Sequence, residues 1–104
     1  MAAYIFDIDG TIVHYHTGRW LDGAKEMLNG LHHDGHDVIF VTMRDGKRDA
    51  GTEWSVENTN KLMAELDFPA ICLFNIQSPR TIIDDSKVFA IKRKQNKNWE
   101  ADEL

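Results

Sequence analysis

Three apolar runs in this 104-residue chain stop at oxygen-bearing polar side chains. Tyr4-Ile5-Phe6 runs into Asp7-Ile8-Asp9, Val38-Ile39-Phe40-Val41 into Thr42, and Thr81-Ile82-Ile83 into Asp84-Asp85. Short, continuous apolar runs suit strands of a parallel sheet, whose faces are both covered. Between them, Ala24, Met27, Leu28 and Leu31 and then Val56, Leu62, Met63 and Leu66 recur at helical spacing. Strand, helix, strand, helix, strand predicts βαβ units and an α/β fold.

The expected elements are a strand over 3–8, a hairpin or flap over 11–21, and a helix opened by Asp22 as N-cap and closed by Gly35. A second strand covers Asp37–Thr42, a polar loop runs from Met43 to Thr52, and a second helix covers Trp54–Leu66. Ile71–Phe74 and Thr81–Ile83 are the third and fourth strands. Only about five residues join these two, and a parallel crossover needs about a dozen. The segment at 71–75 is therefore an antiparallel edge partner or an irregular piece. Ser86 to about Lys94 begins a last helix, although Val88, Phe89 and Ile91 also fit a short strand. Trp99 to Leu104 is expected to fray.

Residues i and i+2 of a strand point the same way, so Asp7 and Asp9 place two anions together. They repel unless a cation lies between them or one binds a proton; the plain alternative is an Asp-rich turn. Ligands of open parallel sheets bind outside the carboxyl ends of the strands. Asp7, Asp9, Thr42, Arg44, Asp84 and Asp85 all fall at that edge. Four carboxylates with oxygen ligands alone point to a hard cation, Mg²⁺ above all.

With these residues in order, the chain resembles the haloacid dehalogenase-like (HAD) phosphatases. D-I-D-G-T at 7–11 looks like the first motif of that family, V-T-M-R at 41–44 the second, and I-I-D-D at 82–85 the fourth. The resemblance implies a Rossmann-like three-layer sandwich in one domain, 1–104, with a mostly parallel sheet. It implies Asp7 as the nucleophile that forms an aspartyl-phosphate and Asp9 as general acid, then base. Mg²⁺ would be held by Asp7, Asp9 through its carbonyl, and Asp84 or Asp85. Thr42, with the backbone N–H groups of Met43 and Gly10, would donate to phosphate. The family's third motif is a Lys or Arg; here Ser78 stands in its place within Gln77-Ser78-Pro79-Arg80. Arg80 is the first choice as substitute, with Arg44, Lys47 and Lys87 also in reach.

No cap domain fits between Thr11 and Asp22 or between Thr42 and Glu53. The open site favours large phosphoesters or a cover supplied by another subunit of a homo-oligomer. His14, Tyr15, His16 and Trp20 are placed to meet a substrate from the flap, or simply to pack. His-x-His with no further ligand does not make a zinc site. The expected function is an Mg²⁺-dependent phosphomonoesterase acting on a sugar phosphate, a nucleotide or a polynucleotide 3′-phosphate. The alternatives are a phosphate- or metal-binding protein of the same fold without turnover, and a phosphoacceptor receiver. A net charge of −5 argues against strong nucleic-acid binding, and the basic cluster Lys92, Arg93, Lys94 and Lys97 reads as a solvated face. No apolar run approaches the roughly eighteen residues of a membrane span. The single cysteine, Cys72, excludes an intrachain disulfide and is expected to be a small buried hydrophobe. The setting expected is cytoplasmic, without a membrane partner.

Overall fold

The computed structural model describes residues 1–15 and 17–104; His16, expected on the flap, lies outside the described residues. The elements run β1 (Ala3–Asp7), α1 (Ala24–His33), β2 (Asp37–Val41), α2 (Val56–Met63) and β3 (Ile71–Leu73). The strands form one sheet in the order β1-β2-β3, both pairs parallel. The protein is an α/β fold, as the alternation of patterns predicts.

Register explains which face is buried. Ile5 lies opposite Ile39 and Ile39 opposite Ile71, while Phe6 pairs with Phe40 and Phe40 with Cys72. Phe6, Val38 and Phe40 join Ala24 and Leu28 of α1 and Met63 of α2 in one core. Burying side chains of this size contributes roughly 1.5–3 kcal/mol each. The opposite face carries Ile5, Ile71 and Leu73, about half exposed. The sheet thus has one covered face, and the third layer expected from 81–94 does not form among the described residues. From 74 to 104 there is neither helix nor strand, and Ile82, Ile83, Phe89 and Ile91 are exposed.

This settles the topology of residues 71–75. Ile71–Leu73 are neither antiparallel nor irregular: β3 is a parallel strand reached from β2 through α2, and 74–75 follow it as irregular chain. The short link that seemed to forbid this leads to 81–83, which is not a strand.

The helix ends follow local chemistry. The N-cap of α1 is Gly23, not Asp22, with φ 80°. Glycine is needed there twice over, because a Cβ would lie 2.1 Å from the Trp99 carbonyl oxygen. At the other end, the Gly35 N–H donates to the His32 carbonyl at 2.9 Å and the His36 N–H to the Leu31 carbonyl at 3.1 Å, with Gly35 at φ 88°. These two bonds make a Schellman cap. Helix α2 starts after Ser55, which caps it by accepting from the Asn58 N–H at 3.1 Å, and ends at Met63, before Leu66.

The last residues do not fray. Trp99 is 6% exposed and stands edge-on to Phe6, with ring centroids 6.0 Å apart. Its indole N–H donates to the Thr11 carbonyl at 2.8 Å and its backbone N–H to the Asp22 carbonyl at 2.8 Å. The Arg93 guanidinium covers the ring 3.4 Å from its centroid and pairs with Glu103. A large aromatic gains more from this burial than the end of a chain gains from freedom.

Candidate active site

Because all three strands are parallel, their carboxyl ends share one edge. Asp7 ends β1 level with Val41, the last residue of β2, and Thr42 to Arg44 follow directly. The chain after Asp7 turns tightly: the N–H groups of Thr11, Ile12 and Val13 all point at the Ile8 carbonyl, at 3.2, 3.0 and 3.2 Å. Ile8, Ile12 and Val13 are fully buried, so apolar packing fixes the turn that carries Asp9. Gly10, at φ 83°, supplies the left-handed residue the turn requires. The described residues of the flap, 11–15 and 17–21, fold back on one another, with the Leu21 N–H bonded to the Ile12 carbonyl at 2.9 Å and the His14 N–H to the Arg19 carbonyl at 2.7 Å. It plugs the core more than it covers the site. Trp20 packs against the core cluster, and Tyr15 is 43% exposed.

Each aspartate has a guanidinium partner. Arg44 is 3% exposed; its Nε donates to Asp9 Oδ2 at 2.9 Å and its Nη2 to Asp9 Oδ1 at 2.7 Å. The remaining arm, Nη1, donates to Thr59 Oγ1 at 2.9 Å. Thr59 is itself buried and passes its own proton to the Ser55 carbonyl at 2.8 Å. Such a planar fork on a carboxylate is both strong and directional. Arg44, in reach as a substitute for the third-motif cation and so for binding phosphate, has its side chain on Asp9 and on Thr59 of α2.

Arg80 reaches back across 73 residues, its Nη1 lying 3.0 Å from Asp7 Oδ1. Its Nη2 donates to the Ile76 carbonyl at 2.9 Å, and the Thr11 hydroxyl lies 3.4 Å from Asp7 Oδ2. The cation beside the first aspartate is thus Arg80. Thr42 is 1% exposed; its hydroxyl accepts from the Arg44 N–H at 3.1 Å, and its carbonyl accepts from the Ile76 N–H at 2.9 Å. Met43, in between, is 42% exposed at the strand edge.

Asp84 and Asp85 are not drawn into this group. Both are exposed, and Asp84 Oδ1 accepts the Ser86 N–H of its own turn at 2.8 Å. Among the described residues no three His, Cys, Asp or Glu side chains come together to hold a metal ion. Asp7 and Asp9 are not joined by Asp84 or Asp85, and their carboxylates face Arg80 and Arg44, so the expected donors as placed do not make a divalent-cation site. The repulsion that suggested Mg²⁺ is answered by two guanidinia.

Beside the site, Arg48 pairs with Asp49 at 3.0 Å and donates to the Met43 carbonyl. The Arg48 hydrogen bond, then the Asp45 N–H, holds the Asp49 carboxyl below its usual range. Burial pushes the Cys72 thiol up to about 11, against the opposing pull of Arg44, which disfavours its thiolate.

Thr59 is the functional neighbour that motif spacing missed. The signal was present: Val56, Thr59, Met63 and Leu66 share one helical stripe, and a hydroxyl on an apolar stripe needs a buried partner. Among the described residues no helix is long and apolar enough to cross a membrane. In comparisons with known proteins, no protein family, no curated protein and no solved structure matches this chain.

Proposed function

We propose that the chain is a phosphomonoester hydrolase of the HAD type, working through Asp7. The observation that carries this reading is the Asp7–Arg80 contact of 3.0 Å at the carboxyl edge of a parallel sheet. A nucleophilic carboxylate approaching a phosphate needs a neighbouring cation, and Arg80 is the chain's cation beside it. Asp7 forms the P–O bond as the bond to the leaving oxygen breaks. Asp9 is a carboxylate on Arg44 in the resting site. To serve the leaving oxygen it must give up one of those two bonds and take up a proton, which it passes to that oxygen. As a carboxylate again, it takes one from the water that cleaves the aspartyl-phosphate. Arg80 neutralises the transferring group, and the Thr42–Met43 edge holds its oxygens. These steps use only groups of this chain. The Mg²⁺ expected from the motifs enters as a variable of the assay.

The test is hydrolysis of an aryl phosphate by the wild type and Asp7→Asn, each with and without Mg²⁺. Loss of the nucleophile is expected to lower the rate roughly a thousandfold or more. Equal rates for the two proteins would end the enzymatic reading. A second reading is favoured by one observation, that both aspartates already hold guanidinium partners. It is a phosphate-binding protein without turnover, and it predicts phosphate binding by Asp7→Asn with no hydrolysis by either protein.

A further inference from the structure

Asp9 lies past the end of β1, in a turn, with its side chain 18% exposed, so no strand ladder holds its carboxylate in place. The Arg44 fork does. Arg44 itself lies past the end of β2, on a long side chain with several torsions to fix. Its third arm ties it to α2, through the Nη1 bond of 2.9 Å to Thr59 Oγ1. A guanidinium is planar, so bonds at both of its ends set the whole plane. Nε and Nη2 face Asp9, and Nη1 faces the helix.

Thr59 is set up to take that bond. Its hydroxyl proton goes to the Ser55 carbonyl at 2.8 Å, which leaves an oxygen lone pair for Arg44. Donation therefore runs one way, from Arg44 to Thr59 to Ser55. Ser55 stands at the head of α2, where its own side chain accepts from the Asn58 N–H. Thr59 is fully buried, so solvent does not supply a substitute acceptor. The consequence falls on Asp9. When Asp9 gives up one Arg44 bond to take up a proton, a loose guanidinium would move with it. Tied to Thr59, Arg44 stays, and Asp9 turns on the bond that remains.

We infer that Thr59 is a positioning residue for the proton transfer: from α2 it holds Arg44, and through Arg44 it aims the Asp9 carboxyl at the leaving oxygen. The inference rests on the phosphatase reading. Thr59 touches no reacting atom, so its effect scales with how much the leaving oxygen needs a proton. An alkoxide needs one, while 4-nitrophenolate departs with little help. The test compares kcat/KM for an alkyl phosphate and for 4-nitrophenyl phosphate, at a temperature where each variant is folded by tryptophan fluorescence. Thr59→Val is expected to lose at least about tenfold on the alkyl phosphate and less than about threefold on the nitrophenyl ester. Thr59→Ser keeps the hydroxyl and should stay within about threefold of the wild type on both. Thr59→Ala makes the same cut should Thr59→Val not fold. Equal losses on the two substrates would show a merely structural role and overturn the inference. So would no loss on either, or a Thr59→Ser as poor as Thr59→Val. A wild type that hydrolyses neither substrate removes the phosphatase reading instead. The hold on Asp9 is then decided by the Arg44 Nε–H signal in NMR, assigned by its absence in Arg44→Lys. Asp9→Asn and Thr59→Val are each expected to shift that signal and Thr59→Ser to leave it in place. A signal unmoved in Thr59→Val overturns the tether.

Discussion

The Asp9–Arg44–Thr59 network carries the most exacting prediction. Arg44 is 3% exposed and makes three hydrogen bonds of 2.7–2.9 Å, two of them to the Asp9 carboxylate. Removing one member of a buried ion pair costs about 3–5 kcal/mol, because the partner is left desolvated and unpaired. The Asp9 side chain is 18% exposed, so water repairs part of the loss in Arg44→Met, which is placed at about 3 kcal/mol. Asp9→Asn leaves the more deeply buried guanidinium facing a neutral amide and should cost about as much. The double variant removes both charges and should recover about 2 kcal/mol relative to the sum of the singles. A domain of this size is stable by about 5–15 kcal/mol in all, so each single change shifts a urea midpoint visibly. Thr59→Val keeps the shape, removes the third acceptor and should cost about 1–2 kcal/mol. The cycle is read by tryptophan fluorescence in urea, at low salt and in 1 M NaCl; a buried pair is little screened, so the coupling should persist. A coupling energy below about 0.5 kcal/mol would refute the claim that Arg44 is held by Asp9.

Other outcomes follow from single contacts. Gly23→Ala forces a side chain into a φ of 80° and a Cβ to 2.1 Å from the Trp99 oxygen; a loss of about 2 kcal/mol or more and a red-shifted Trp99 emission are expected, and wild-type melting would contradict this. Arg80→Ala should lower aryl phosphate turnover about ten- to a hundredfold, and Arg80→Lys should recover part of it; an unchanged rate would remove Arg80 from the site. Cys72 should react slowly with thiol reagents at pH 7.5 and faster as pH approaches about 11. Its folded thiol holds a proton that the unfolded thiol, at 9.0, releases, so its contribution to stability is complete below pH 9 and declines as pH rises toward 11. Rapid labelling at pH 7.5 would show that the thiol is not buried as described.

The parts of the fold legible in the sequence were those written in local pattern. The runs Tyr4-Ile5-Phe6 and Val38-Ile39-Phe40-Val41 became strands because nothing but a sheet buries them in so few residues. Gly35 announced the end of α1 because a left-handed residue is needed there. Thr81-Ile82-Ile83 has the same local pattern and is not a strand, since pairing depends on a neighbour that pattern does not contain. The apolar run before it placed Asp7 at a strand end; Asp9 lies past that end, in the turn, where period-two geometry no longer applies. The partners of these aspartates were not legible. Arg44 belongs by chain order to a strand-end motif, yet its guanidinium turns inward, because Thr59 on α2 offers a buried acceptor. Trp99 looked like part of an acidic tail; its burial depends on a gap beneath Gly23 that no local pattern records.

The clasp of the chain's last residues on its first turn sets an order in time. Gly10 accepts from the Asn96 N–H at 2.8 Å, the Asp22 N–H is held by Asn98 at 3.0 Å, and Trp99 reaches Thr11. The clasp on the turn bearing Asp9 is made nearly ninety residues after that turn. Elongation at about 5–20 residues per second separates the two by several seconds. Through that interval the nascent sheet can form while the Asp9 turn waits, so the site is completed only when Trp99 has left the ribosome. Chains arrested before Asn96 should therefore be cleaved by protease within 10–22, and chains released past Trp99 should resist.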